Sequence, residues 1–251
     1  MDFIFYIQVI VFLYGIVIGS FLNVCIYRIP KGEDIVKTNS HCMNCGTELK
    51  WYDLFPVFSF LWLKGKCRYC GVKLSWQYPA VEVLNGILYC IVFAVKGIHT
   101  TSVVYCLFVS ALLVLSIIDW RTYEIPIGIN VFIFVLGIIH VGLNLNNWKN
   151  YGLGFISVST GLFLLYYLTK GRGIGGGDVK LMAVSGLLLG WKCNILAFFI
   201  ACLLGSVIHT IRMKISKTDH VLAFGPYLSA GLFLSLLFGE VWLKWYLGLF
   251  F

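Results

Sequence analysis

Residues 112–126 read LLVLSIIDWRTYEIP, and residues 173–183 read GIGGGDVKLMA. In the first stretch Asp119 closes an apolar run; in the second Asp178 opens one after three glycines. A carboxylate at membrane depth is costly unless it faces a bundle interior or a polar cavity, so each aspartate is a candidate functional group. A second pattern, Cys42-x2-Cys45 and Cys67-x2-Cys70, lies in a long polar insertion between apolar runs. It has the ligand spacing of a metal site.

The chain around these features has 251 residues, of which 60% are hydrophobic, 17% aromatic and only 12% charged. That leaves too few polar side chains for a water-facing surface, so a lipid bilayer is the expected solvent. Uncharged stretches cover 3–27, 97–118, 125–148, 150–169, 193–211 and 221–239. Each is near the roughly 20 residues a spanning helix needs. Two weaker spans, 79–95 with Glu82 near its start and a short one over 178–191, complete an all-α polytopic membrane protein of about eight transmembrane helices. The first run is too long for the apolar core of a secretory signal and follows Asp2 rather than a basic cluster, so it reads as a retained helix.

Eight spans send 28–78, 119–125, 170–180 and 212–220 to one side, with fifteen of the nineteen Lys and Arg residues, including Lys217. Lys96, Lys149, Lys192 and Lys244 fall on the other. The bias assigns the first side to the cytoplasm, together with both aspartates and the cysteines. The net charge of +8 is then mostly a topological signal and gives no reason to expect nucleic-acid binding. Two parts are expected: residues 1–100, with two membrane helices flanking the 28–78 loop, and residues 101–251, with six helices and both aspartates.

Two Cys-x2-Cys knuckles can close a tetrahedron of thiolates around Zn²⁺, and the cytoplasm disfavours disulfides. With four sulfur ligands no position is open for substrate, so the expected role is structural, with no catalytic metal. Gly46 and Gly71 follow the second cysteine of each pair and suit the turn that aims backbone amides at sulfur. A redox dithiol pair and idle cysteines are the other readings. His41, next to Cys42, is a spare ligand to check, whereas His140 and His209 lie in apolar spans without ligand spacing and His220 reads as an ordinary loop residue.

Asp178 could simply cap its helix, and Asp119 could sit at the interface beside Arg121. Taken together they say more. One ends a helix and the other begins one on the same membrane face, so a bundle can bring them together. Adjacent carboxylates share a proton: one can take a proton from water while the other protonates a carbonyl oxygen. Gly175 and Gly177 would let backbone approach closely there.

These residues resemble the type IV prepilin peptidases, bifunctional leader peptidase/N-methyltransferases of the GxGD membrane aspartyl protease class. The resemblance is carried by 19–30 (GSFLNVCIYRIP), the cysteine pairs, Tyr78-Pro79-x-x-Glu82, Asp119 with Ile125-Pro126, 175–180 (GGGDVK) and Phe224-Gly225-Pro226. It implies Asp119 and Asp178 as the catalytic pair and Gly175 and Gly177 as the active-site loop. Prepilins or pseudopilins would be cleaved after glycine on the cytoplasmic face of the bacterial inner membrane. The new N-terminus would then be methylated from S-adenosylmethionine. Residues 1–100 would carry methyl transfer, with Glu82, Asn23 and Arg28 as candidates, and 101–251 the peptidase. No glycine-rich nucleotide turn marks a donor site. Capping for Glu82, an interhelical hydrogen bond for Asn23 and snorkelling for Arg28 are the plain alternatives. The family's usual acidic residue after the first proline is Ile127 here, and its usual proline before Phe-Gly-Pro is Ala223. Pilus assembly, secretion and competence are the associated pathways. A presenilin-like protease and a proton-coupled transporter are competing readings. The first lacks its Pro-Ala-Leu motif and the second leaves the cysteines unexplained.

Overall fold

The computed structural model describes residues 2–216 and 222–249; Lys217 and His220 lie outside the described residues. The chain divides into two compact units, Met1–Ile98 and His99–Phe251.

The first unit is a helix pair with a folded insertion. α1 (Asp2–Arg28) packs along α3 (Gln77–Lys96), and a short α2 (Phe58–Trp62) lies in the insertion between them. Gly15 and Gly19, four apart, form the seam. A methyl group on Gly15 would come within 2.6 Å of the Gly86 backbone, and one on Gly19 within 2.7 Å of the Glu82 backbone. Lipid gives no hydrophobic drive between helices, so small residues that let backbones touch hold such pairs. Asn85, fully buried, adds a hydrogen bond from its amide to the Gly15 carbonyl at 2.8 Å.

The second unit is a bundle of α4 (Thr100–Thr122), α5 (Ile127–Leu143), α6 (Trp148–Leu168), α7 (Gly176–Leu189), α8 (Trp191–Ser216) and α9 (Gly225–Leu247). α7 is its axis. It contacts α5, α6, α8 and α9, and nearly every residue from Asp178 to Leu188 is buried. The outer helices close around it, α4 packing on α5 and α9, α6 on α8, and α8 on α9. Gly154 of α6 and Gly186 of α7 meet backbone to backbone, leaving no room for a side chain on either. The fully buried Asn194 of α8 donates to the Gly154 carbonyl at 3.1 Å and the Met182 carbonyl at 3.0 Å, joining three helices with one amide.

Among the described residues six helices are long and apolar enough to cross a membrane, and the protein is a multi-pass membrane protein. The expected count of eight needs a qualification. α5, with 17 residues, and α7, with 14, are the fourth and sixth of the anticipated spans but are shorter than the rest. At 1.5 Å per residue α7 reaches about 21 Å, against about 30 Å of hydrocarbon. A helix walled by other helices meets little lipid, so its length is set by packing rather than by bilayer thickness.

Candidate functional site

Asp119 lies in the last turn of α4 and is only 5% exposed. The helix stops just beyond it, where Tyr123 turns left-handed and its N–H returns to the Asp119 carbonyl at 2.8 Å. Pro126 then starts α5 in extended geometry, so the chain reverses within four residues of the helix end. The Asp119 side chain faces inward, where its Oδ2 accepts the N–H of Gly225 at 2.8 Å. Gly225 opens α9, so the first amide of that helix points at the carboxylate.

Asp178 is the third residue of α7 and also buried. It is not the N-cap. Gly175 holds that position, and a backbone hydrogen bond from Gly175 supports the Asp178 carboxylate. This is the return half of a capping box, with the acid reaching back to the capping residue. The glycines have separate duties. A methyl group on Gly175 would lie 2.9 Å from Asp178 Oδ2, and one on Gly177 would lie 2.8 Å from Ile125 Cβ. Gly177 therefore lets α7 close against the segment that follows Asp119. Two buried carboxylates from different helix ends, each steadied by a backbone amide, can hold one proton between them.

In the other unit, the sulfurs of Cys42, Cys45, Cys67 and Cys70 all lie within 4.8 Å of one another. Cys42 and Cys70 are 3.8 Å apart, the edge of a tetrahedron with about 2.3 Å metal–sulfur bonds. The two knuckles are built alike. In one, Gly46 donates to the Cys42 carbonyl and Cys42 to the Thr47 carbonyl; in the other, Gly71 donates to Cys67 and Cys67 to Val72. Gly46 (φ +69°) and Gly71 (φ +71°) take the left-handed turn this requires. Amides of Asn44 and Cys45 serve the Cys42 sulfur, and those of Cys70 and Tyr69 hold the Cys67 thiol below its usual range. His41 is not part of the cluster; its ring bonds the Asn39 carbonyl at 3.2 Å. The cysteine cluster fits a structural metal site.

The same unit contains a cavity of about 520 Å³ whose walls include Asn23, Arg28, Glu82, Cys42 and Cys67. Glu82 is buried, its Oε2 accepting the N–H of Val57 at 2.7 Å, with a further hydrogen bond to Ser20. Asn23 donates to the Tyr78 carbonyl at 3.1 Å, while its Oδ1 is buried without a partner. Arg28 spends its guanidinium on the carbonyls of Asp34, Thr38 and Asn39 at 2.8–3.1 Å, which shapes the loop above the cavity.

Residues 13–96 match the model of the bacterial peptidase A24 N-terminal domain, and residues 106–210 that of the type IV leader peptidase family. A protein of Bacillus subtilis (strain 168) named prepilin leader peptidase/N-methyltransferase is 32% identical over 95% of this chain and 97% of its own length. The chain belongs to the prepilin leader peptidase/N-methyltransferase family. Proteins of the same name from Aeromonas salmonicida (strain A449) and Pseudomonas aeruginosa are 30% and 27% identical. These alignments cover 95% and 94% of this chain and 93% and 91% of the relatives. No solved structure matches the chain.

Two departures from the family pattern fall differently around the pair. Ile127 is exposed at the start of α5, while Ala223 is buried just before α9. Two site contacts escaped residue-by-residue reading, Gly225 to Asp119 and Val57 to Glu82, because both are made by backbone amides. The only trace of the first was the Phe224-Gly225-Pro226 string, with Pro at a position where helices begin. Also unforeseen is a half-buried contact at the opposite end of α4, where the Tyr105 hydroxyl meets His140 Nε2 at 2.8 Å.

Proposed function

We propose that this enzyme cleaves the basic leader of type IV prepilins or pseudopilins after glycine at Asp119 and Asp178, and then methylates the new N-terminus in the other unit. What supports the first half is that two carboxylates of one bundle, at the end of α4 and near the start of α7, are both buried. The ionised carboxylate takes a proton from water, whose oxygen attacks the scissile carbonyl carbon, while the protonated partner gives its proton to the carbonyl oxygen. Collapse of the tetrahedral species breaks the C–N bond, and the proton taken from water passes to the departing amine. Gly225 N–H keeps one oxygen of Asp119 in place through both steps. The excess of Lys and Arg on the connections at this end supports a cytoplasmic site in the bacterial inner membrane.

For methyl transfer the supporting feature is the 520 Å³ cavity, which falls within the usual range for small-molecule sites. Its buried Asn23 Oδ1 lacks a donor, and Glu82 offers a carboxylate already fixed on one side by Val57. S-adenosylmethionine, when bound, supplies an electrophilic methyl group. Glu82 would orient the free amine and accept its proton, Asn23 would take a hydrogen bond from the ligand, and Arg28 would hold the loop that covers it. The four cysteines would hold Zn²⁺, stapling that loop and taking no part in the chemistry.

The test uses purified protein in nanodiscs with a prepilin carrying a Gly-Phe junction, followed by product mass with and without S-adenosylmethionine. Leader loss that disappears in both Asp119→Asn and Asp178→Asn supports the peptidase assignment. General acid–base catalysis contributes about 10²–10⁴-fold, so a smaller loss in either variant would remove that residue from the pair. A donor-dependent gain of one methyl group supports the second step.

A further inference from the structure

The insertion between α1 and α3 is polar by position, yet it carries WYDLFPVFSFLW over 51–62. Only part of this is used inside the module. Phe60 is buried, its ring 5.0 Å from Trp76 in an edge-on contact. Phe58, Leu61 and Trp62 lie outside the cavity and are exposed, Phe58 by 62% and Trp62 by 83%. Large apolar side chains exposed this close together in sequence suit a binding face.

The level of this face along α3 identifies what it meets. α3 has 20 residues and so spans about 30 Å, matching the hydrocarbon thickness with Gln77 near one boundary. Val57, in the middle of the aromatic segment, donates to Glu82, five residues further into the helix, about 7.5 Å along its axis. Side chains lean toward the helix N-terminus, which returns part of that distance. The Val57 amide therefore sits at, or a few ångströms below, the level of Gln77. Lys64, Lys66 and Lys73, close by in sequence, are exposed and form no ion pair among the described residues.

We infer that residues 55–62 are an interfacial anchor that sinks their aromatic face into the bilayer surface, with Lys64, Lys66 and Lys73 on anionic headgroups. Aromatic rings at the acyl boundary with lysines at the phosphates are the usual composition of a surface-bound segment. Leu54, Phe55 and Val57, and on its other side Lys66 and Lys73, also wall the cavity, so the two lysines stand between it and the headgroup layer. On the methyl-transfer reading above, one wall of that site is thus fixed by lipid, at the level where a substrate helix leaves the membrane.

Depth is measured without reference to either activity. The full chain is placed in nanodiscs of phosphatidylcholine, or phosphatidylcholine with phosphatidylglycerol, containing lipids brominated near the headgroup end of the acyl chain. Tryptophan emission of the native protein is compared with that of Trp62→Phe. With eight tryptophans in the chain, the native protein should lose up to one-eighth more of its emission to brominated lipid than the variant does. Iodide in the water should not reach that share. The loss should be larger with phosphatidylglycerol, and the difference should vanish in Lys64→Gln/Lys66→Gln/Lys73→Gln. Bound-metal content confirms that each variant keeps its folded module. Quenching of Trp62 by iodide instead of bromine overturns the inference, as does protection that arises only when prepilin is added, which would make the face a substrate surface. Equal quenching in both lipid mixtures overturns the headgroup assignment.

Discussion

Gly225→Ala probes the least obvious part of the proposed peptidase site. A methyl group there would lie 2.8 Å from Asp119 Oδ2, 3.0 Å from its Cγ and 3.0 Å from Leu115 Cδ2. Ordinary carbon contacts are 3.5–4.0 Å, so the carboxyl group must retreat by about half an ångström or more. That breaks the 2.8 Å hydrogen bond from Gly225 N–H. A hydrogen bond to a charged group is worth about 1.5–3 kcal/mol, and each 1.36 kcal/mol is tenfold in rate. If the bond holds Asp119 in its reactive pose, kcat for leader cleavage should fall roughly ten- to a hundredfold. Methyl transfer to a pre-cleaved peptide should continue, because the cavity belongs to the other unit. The assay compares both rates on one nanodisc preparation, with thermal melting to separate local damage from loss of fold. Cleavage within about threefold of native, in a variant that melts normally, would show that the amide contact does not matter.

Three further outcomes test other parts. Cys67→Ser should lower bound metal from one equivalent per chain toward none and loosen the 28–78 loop, as read by elemental analysis and limited proteolysis. Glu82→Gln keeps the shape of the side chain but removes its charge; it should slow methyl transfer by about 10²-fold or more while leaving leader cleavage intact, as seen in product masses. Gly186→Val forces α6 and α7 apart where their backbones touch, and the melting temperature should drop by roughly 5–10 °C.

What could be read from the chain alone was whatever is set by composition, charge sign and short-range spacing. Long uncharged runs require a membrane whatever their neighbours are, the cysteine intervals specify a tetrahedral site because a knuckle is a local turn, and an aspartate ending an apolar run is conspicuous because hydrocarbon penalises charge. Tertiary structure decided what depends on partners distant in sequence. Asp119 and Gly225 are 106 residues apart, and no local pattern announces that one helix start will offer its amide to the other helix end. α7 resembles a truncated span until four helices are seen around it, at which point protein rather than lipid explains its length. Arg28, Asn23 and Glu82 could each have been caps or snorkelling groups; only packing shows a cavity beside them and backbone carbonyls already occupying the arginine. Backbone amides carry no residue identity, so contacts made by the chain itself become visible only once the chain is folded.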